Sequence, residues 1–329
     1  MPDIAHQYRT IVSGSGFRNR ADRGRLRFTG ADRVTFLQAL VTNDLIGLKS
    51  HQGAYAAYLT PQGRMVTDLH LFVRPDSIVA DVPAALASGL AAKFDGLVFA
   101  EDVQVLDASA ELAQMSVIGG RASAVVAAAT GADAAALSQL AVWAQLDINH
   151  GFVARTDEAD VESYDVVLEA TREAALIEAL ESAGAVRMSN DVAEAIRVQK
   201  GHPAFGIDMN TDTIPLEAGL LERAISTSKG CYVGQEIVIR VLHRGGGRVA
   251  KRLVKLAMPS AGAADGVGPG STLAADGKNV GAITSAAPAP DGEGIVALGY
   301  VHRDHAEAGR TLFLSAQPGT VATIVGLAG

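Results

Sequence analysis

Residues 229–236 are Lys229-Gly230-Cys231-Tyr232-Val233-Gly234-Gln235-Glu236, and the rest of this 329-residue chain is best interpreted from that run. It holds the only cysteine of the sequence, two positions after a lysine and between two glycines. Because glycine allows sharp turns and close backbone approach, the run predicts a turn that carries Cys231. A nearby cation stabilises the thiolate, which is the reactive form of cysteine. The pattern therefore indicates a reactive Cys231 assisted by Lys229; the alternative is a buried structural thiol.

The same run matches, without gaps, the K-G-C-Y-x-G-Q-E motif of the YgfZ family. That family comprises folate-binding relatives of the glycine-cleavage T-protein that support iron–sulfur cluster proteins. Similarity to both kinds of chain recurs at residues 30–44 and 206–220 and extends from about Arg25 to Leu314. The resemblance implies a T-protein-like fold, tetrahydrofolate or another reduced folate as cofactor, and Cys231 with Lys229 as the reactive centre.

Composition limits the class of protein. Charged residues make up 19% of the chain and the formal net charge is −8, so its whole surface is not suited to nucleic acid. A single cysteine cannot form an internal disulfide, which fits a reducing compartment. The sequence has no uninterrupted apolar run long enough to cross a membrane and no secretory pattern at its start. We expect a cytoplasmic protein with no membrane partner.

The first part of the chain predicts an arm followed by an α+β unit. Residues 1–24 are polar and rich in arginine, so we expect a loosely held arm. A strand at 25–29 and a helix at 30–40 come next. Strands at 54–60 and 65–73 flank the turn-forming run 61–64 and predict a hairpin.

Two later segments resemble one another and suggest an internal repeat. Residues 76–106 and 164–188 each predict a strand, an alanine-rich helix and a strand. From this we expect an α+β fold in which helices cover one face of antiparallel sheets. The predicted core, 25–245, has two related lobes, which are either consecutive or interleaved.

The C-terminal part predicts a separate barrel. The apolar, β-branched run 237–242 suggests a buried strand. After residue 250, short β runs alternate with turns such as Asp276-Gly277 and Asp291-Gly292. We expect a small β-barrel over 250–329, matching the barrel of the T-protein family. His302 and His305 lack further ligands, so no metal site is expected.

The resemblance also assigns candidate folate contacts. Asp68 lies inside a predicted strand, where a carboxylate is unusual unless it is paired or at an edge. The T-protein has two adjacent aspartates there, whereas this chain has Thr67-Asp68. Arg197, on a predicted helix at 190–201, requires an anion or an internal salt bridge, and it matches a folate-site arginine of the family. Glu158 is carried over more weakly, because the glycine of the family's Tyr-Thr-Gly-Glu turn is missing. Tyr232 and Gln235 of the cysteine motif are assigned to the same site.

A basic segment follows the cysteine motif. Residues 237–264 contain no acidic residue but include Arg240, Arg244 and Arg248. The segment is either a solvated linker or an anion site for a polyglutamate tail or RNA phosphates. No aromatic residues interleave with the arginines, so base stacking is not indicated.

Three functions are therefore open. The first is a YgfZ-type folate-binding factor that supports assembly or repair of iron–sulfur enzymes, including those of tRNA modification. The second is a tetrahydrofolate-dependent aminomethyltransferase-like one-carbon transferase, which is disfavoured by the missing second aspartate. The third is a non-catalytic adaptor for RNA or partner proteins. A single cysteine cannot hold an iron–sulfur cluster alone, because such clusters use about four protein ligands.

Overall fold

The structure, a computed structural model, describes residues 3–243, 246–259, 266–292, 294–317 and 319–329. Its strands form a five-stranded sheet, a six-stranded sheet and a closed barrel. This confirms the α+β fold with a C-terminal barrel that the sequence predicts.

The first lobe is built on the five-stranded sheet. Its strands run in the spatial order β3-β4-β5-β2-β6, and all neighbours are antiparallel. The predicted hairpin is present as β3 and β4. Two helices, α2 and α3, cover one face. The elements are β2 (Arg23–Thr29), α2 (Arg33–Leu40), β3 (Gln52–Leu59), β4 (Met65–Val73), β5 (Ile78–Pro83), α3 (Ala87–Asp95) and β6 (Gln104–Asp107).

The second lobe is built on the six-stranded sheet, in the order β11-β1-β7-β10-β9-β8. Only β1 and β11 pair in parallel. As the sequence predicts, β10-α6-β11 repeats the strand–helix–strand pattern of β5-α3-β6. The elements are α1 (Ile4–Ser13), β1 (Gly16–Asn19), β7 (Leu112–Ile118), α4 (Ala122–Thr130), α5 (Ala134–Gln139), β8 (Gln145–Ile148), β9 (Gly151–Arg155), β10 (Ser163–Glu169), α6 (Glu173–Ser182), β11 (Val186–Arg187) and α7 (Asn190–Lys200).

The N-terminal segment is part of the second lobe, so the predicted loose arm is wrong. Strand β1 lies between β7 and β11, and Ile11 of α1 is fully buried. Two of the arginines that make this segment look solvated have partners far along the chain: Arg20 pairs with Glu158, and Arg23 pairs with Asp81. The second lobe therefore begins before the first, and the two lobes are interleaved.

The two sheets face each other, and strand alternation decides what lies between them. In β4, Leu69, Leu71 and Val73 pack under the helices, while Asp68, His70 and Phe72 have the opposite orientation. At one end of the layer Phe72 contacts Phe152 of β9, with ring centroids 5.4 Å apart. The other end is polar, and this polar end opens into the cavity described below.

Residues 235–243 form a helix, α9 (Gln235–His243), which corrects the strand predicted at 237–242. β-branched residues favour strands, but here Val238 is fully buried while Ile239 and Arg240 are exposed, as on a helix. Helix α9 lies against the tip of the β3–β4 hairpin: a Cβ on Gly63 would lie 2.6 Å from the Cβ of Ile237. Packing on the hairpin thus overrides local propensity. A short helix, α8 (Leu221–Ala224), precedes the cysteine motif.

The barrel closes in the order β12-β15-β14-β13-β16-β17. Its strands are β12 (Lys251–Met258), β13 (Thr272–Ala275), β14 (Lys278–Pro288), β15 (Ile295–His302), β16 (Thr311–Leu314) and β17 (Val321–Leu327). The last strand was not predicted, although Ala322 and Ile324 are fully buried. In the described ranges, no helix combines the length and apolar character that a membrane crossing requires.

Candidate functional site

A cavity of about 380 Å³ opens where the polar end of the inter-sheet layer meets α7 and the segment that follows it. Both lobes contribute to its walls. Among the described residues, five arginines and five carboxylates line it: Arg18, Arg20, Arg23, Arg197, Arg223, Asp22, Asp68, Asp157, Glu158 and Glu194. The cavity is therefore strongly charged but nearly balanced in sign.

The floor of the cavity is a buried ion-pair network. Arg23 contacts Asp81 and lies 3.4 Å from Asp68, and Arg20 contacts Glu158. Burial alone raises the pKa of Asp81, but the Arg23 guanidinium and His70 outweigh it and hold that pKa well below the usual range. For Asp165 of β10, burial and the nearby Glu158 raise the pKa to about 6. The network therefore lowers the pKa of one buried carboxyl group, Asp81, and raises the pKa of another, Asp165.

Asp68 lies on β4 and faces this cavity, as expected. Its carboxylate accepts a hydrogen bond from the Tyr55 hydroxyl at 3.0 Å, and only 4% of the residue is exposed. Burial, followed by the negative charge of Asp68, raises the pKa of Tyr55 well above 10. Tyr55 therefore remains a hydrogen-bond donor, and Asp68 is paired rather than solvated.

An aromatic row that the sequence analysis missed lies beside Asp68. The His70 ring stacks on Trp143 and lies against a tilted Tyr55 ring, with a centroid distance of 4.8 Å to each. Trp143, the only tryptophan of the sequence, has φ 66°, a left-handed conformation that is rare for a bulky residue. The two-residue spacing of Asp68 and His70 was a usable signal, since both must face the same side of a strand.

Glu158 also lines the cavity, although the glycine of the family turn is missing. Arg20 holds its carboxylate, and 23% of the side chain is exposed. Burial raises the pKa of Glu158, and the Arg20 and Arg18 guanidinium groups more than reverse this effect. Glu158 is thus an ionised hydrogen-bond acceptor at the cavity wall.

Arg197 lines the cavity too, but its guanidinium is fully engaged within the protein. Its five N–H groups donate to Glu194 twice, to Asp208, to Ser285 and to the His202 carbonyl. Of the two alternatives for Arg197, an anion or an internal salt bridge, the internal salt bridge is therefore present. In contrast, the buried Arg18 Nε has no hydrogen-bond partner among the described residues.

The cysteine motif lies on the first lobe, outside the lining of this cavity. Cys231 is exposed, in irregular backbone just before the turn at Val233 and Gly234. The Lys229 ammonium donates to the carbonyl oxygens of Gln38, Val41 and Asn43 at 2.6–2.9 Å. These bonds use all three of its protons, and within the described ranges none joins Lys229 to Cys231. Partial burial lowers the pKa of Lys229 to about 8. Lys229 therefore anchors the turn at the end of α2.

Tyr232 and Gln235 are not brought to the cavity. The Tyr232 ring is buried in a cluster with Ala57, Leu59 and Met65, and this burial raises the pKa of Tyr232 to about 12. Gln235 is the first residue of α9. The structure therefore does not place either side chain beside Asp68 and Glu158.

Gly234 positions the motif, and replacing it should be costly. Its φ is 83°, and an added Cβ would lie 2.6 Å from the Thr60 carbonyl oxygen. We expect Gly234→Ala to lower the free energy of unfolding by about 2–3 kcal/mol through backbone strain and this clash. Gly230→Ala is the matched control, because a Cβ added there would meet no atom within 4 Å beyond its chain neighbours. Urea unfolding of both variants measures the difference; equal stabilities would contradict the assignment.

The basic segment is only partly described. Arg240 is exposed on α9, and Arg248 lines an open groove with Arg252 and Arg303. Arg244 lies outside the described residues. Binding of RNA or a polyglutamate tail to this surface remains a proposal.

Comparison with known proteins covers nearly the whole chain. Residues 2–229 match the family model of the GCVT N-terminal domain, and residues 251–326 match that of the glycine cleavage T-protein C-terminal barrel domain. The structure superimposes on glycine cleavage system aminomethyltransferase T from Bartonella henselae with a TM-score of 0.86 at 21% identity, covering 98% of this chain and 88% of that one. At this identity the likeness establishes the fold alone.

Two sequence relatives extend the comparison. A chloroplastic Arabidopsis thaliana protein, named a putative transferase, is 26% identical over 88% of this chain. The chain spans 66% of that protein's length, slightly less than two thirds. An aminomethyltransferase of Rubrobacter xylanophilus is 26% identical over 91% of this chain and 79% of its own length.

Proposed function

This chain belongs to the glycine cleavage T-protein family, and on that premise we propose that its cavity binds a reduced folate, tetrahydrofolate or a derivative. We further propose that the protein is a YgfZ-type factor that supports assembly or repair of iron–sulfur enzymes through Cys231. The observation that carries the folate proposal is the buried Asp68 beside an aromatic row in a cavity of about 380 Å³.

The cavity suits the three chemical parts of a folate. Its volume falls in the range of small-molecule sites. The amino-oxo edge of a pterin presents neighbouring N–H groups, for which the carboxyl groups of Asp68 and Glu158 are suitable acceptors. Phe205 and the exposed Ile207, at the rim, offer apolar surface for the benzoyl part.

The glutamate tail requires cations with free donors. Arg197 has none, because all five of its N–H groups are bonded within the protein. Within the described part of the chain, Arg18 Nε is buried without a partner. The Arg18 guanidinium comes no closer than 4.0 Å to Asp22, which is too far for a hydrogen bond. We therefore assign anion recognition to Arg18, with Arg197 as a residue that shapes the rim.

Folate binding is tested by titrating 5-formyltetrahydrofolate into the protein. We expect quenching of Trp143 fluorescence, since that residue lines the cavity and is the only tryptophan. Asp68→Ala should weaken binding by roughly 1–3 kcal/mol, through loss of a charged acceptor. Asp107→Ala, at an exposed carboxylate on β6, is the control. Undiminished affinity in Asp68→Ala, measured by calorimetry, would remove Asp68 from the site.

The iron–sulfur role is tested by complementation of a YgfZ-deficient bacterium. Because Cys231 is exposed, Cys231→Ala should change the free energy of unfolding by less than about 0.5 kcal/mol. The variant should bind folate normally but fail to restore the activity of iron–sulfur enzymes. Full complementation would show that the thiol is dispensable, leaving the folate site as the functional centre.

A one-carbon transferase is the second candidate, favoured by the aminomethyltransferase names of the relatives. Thr67 occupies the place of the family's other aspartate. Because this residue is a threonine, one carboxylate of the pair is absent. Thr67 is also fully buried and outside the described cavity lining. Turnover of an aminomethylated donor with tetrahydrofolate would favour this candidate.

A further inference from the structure

His70 of β4 lines the cavity. On β4 it lies two residues from Asp68 and on the same face. The sheet register places it directly opposite Tyr55 of β3 on one side and Asp81 of β5 on the other. Neither the cysteine motif nor the proposed folate contacts give His70 a role.

Asp81 is held so that it can orient His70. It is fully buried, and Arg23 and the Gln114 amide, at 2.8 Å, hold its carboxylate. His70 Nδ1 lies 3.7 Å from Asp81 Oδ2, within ion-pair distance. A carboxylate at this side favours a proton on Nδ1, which leaves Nε2 as the exchangeable position.

The other contacts of the ring are aromatic. Tyr55 and Trp143 lie beside it, each with its ring centroid 4.8 Å from that of His70. No described residue hydrogen-bonds Nε2, and His70 lines the cavity. The arrangement of a histidine, an orienting carboxylate and a free nitrogen facing a pocket is suited to general acid–base chemistry.

We propose that His70 is a proton-transfer residue toward the N5 amine of a reduced folate, with Asp81 as its positioning residue. This inference rests on the proposed function, because it requires a folate in the cavity. The protonated imidazole gives its Nε2 proton to the N5 lone pair, and His70 becomes neutral with Nδ1–H directed at Asp81. The reverse step returns the proton from N5 to Nε2.

The neighbouring charges support this assignment. The structure pairs the ring with the Asp81 carboxylate, which lies 3.7 Å from Nδ1. The other titratable and charged groups that line the cavity with His70 are Arg18, Arg20, Asp22, Arg23, Tyr55, Asp68, Asp157, Glu158, Glu194, Arg197, His202 and Arg223, and Asp81 pairs with His70 from β5.

The test is calorimetry at pH 8 in buffers of different ionisation enthalpy, which counts protons exchanged on binding. An ordinary imidazole is neutral at this pH. Tetrahydrofolate should therefore bind with proton uptake, because the complex holds a proton between Nε2 and N5. With 5-formyltetrahydrofolate uptake should vanish, since acylated N5 is not basic.

Variants separate proton transfer from packing. His70→Phe keeps a stacking ring, and His70→Gln keeps a donor near Nε2; both should bind tetrahydrofolate without proton uptake. His302→Phe is the matched control, as His302 also lies near an aspartate, at 3.5 Å, but on the barrel. Unchanged uptake in both His70 variants, or none in the native protein, would overturn the inference. Failure of both folates to bind the native protein would instead refute the proposed function.

Discussion

Replacing Asp81 with alanine is expected to lower the free energy of unfolding by about 3–5 kcal/mol, because the buried Arg23 would lose its closest carboxylate and keep only Asp68, 3.4 Å away. The side chains of Arg23 and Asp81 are only 10% and 1% exposed. The substitution also removes the acceptor of the Gln114 amide. Urea unfolding at pH 7 measures the loss.

The contribution of Asp81 to the free energy of unfolding should depend on pH. Burial raises the pKa of Asp81, but Arg23 and His70 hold it well below its usual value of 3.8. The stabilisation is therefore complete above about pH 4 and is lost as the pH falls toward the folded-state pKa. The free energy of unfolding of Asp81→Ala should therefore lack this part of the decrease at acid pH.

A surface pair provides the control. Glu181 pairs with Arg187, and their side chains are 43% and 65% exposed. Glu181→Ala should change stability by less than about 1 kcal/mol, because solvent screens such pairs. A cost for Asp81→Ala no larger than this would contradict a stabilising role for the buried Arg23–Asp81 pair.

Arg197→Ala should have a comparable effect on stability, about 3–5 kcal/mol, because the buried Asp208 would lose its charged partner. Asp208 also accepts bonds from Thr284 and Ser285 of the barrel and from the Ala204 amide. Loss of Arg197 should therefore disturb the cavity rim and its attachment to the barrel. Folate affinity should fall by roughly 1–3 kcal/mol as an indirect consequence.

Lys200→Ala on the same helix is the control for Arg197. Lys200 pairs with Asp160, whose side chain is 76% exposed, so its loss should have little effect on stability or folate affinity. Arg197→Lys should remain destabilising, because one ammonium cannot replace five fixed donors. Full stability of Arg197→Lys, measured by urea unfolding, would show that charge alone suffices.

Local patterns in the sequence determined much of the fold. The turn at residues 61–64, the repeated strand–helix–strand units and the barrel strands to Leu314 were predicted correctly, because each depends on neighbours close in sequence. Resemblance in the motifs also located Asp68, Glu158 and Arg197, all of which line one cavity.

Elements that depend on distant packing were not predicted. Residues 16–19 look solvated, since nothing in the sequence shows that Arg20 pairs with Glu158, which lies 138 positions later. Similarly, the β-branched run after Gly234 satisfies both strand and helix patterns locally. Contact with the hairpin tip at Gly63 selects the helix.

The chemistry of the cavity was decided by tertiary structure. The sequence shows Lys229 near Cys231, but the folded chain gives its protons to three carbonyl groups of the first lobe. Tyr55, His70 and Asp81 lie side by side because of the pairing register of three strands. Alternation along one strand fixes which side chains share a face, whereas register and the approach of the second sheet fix which of them meet.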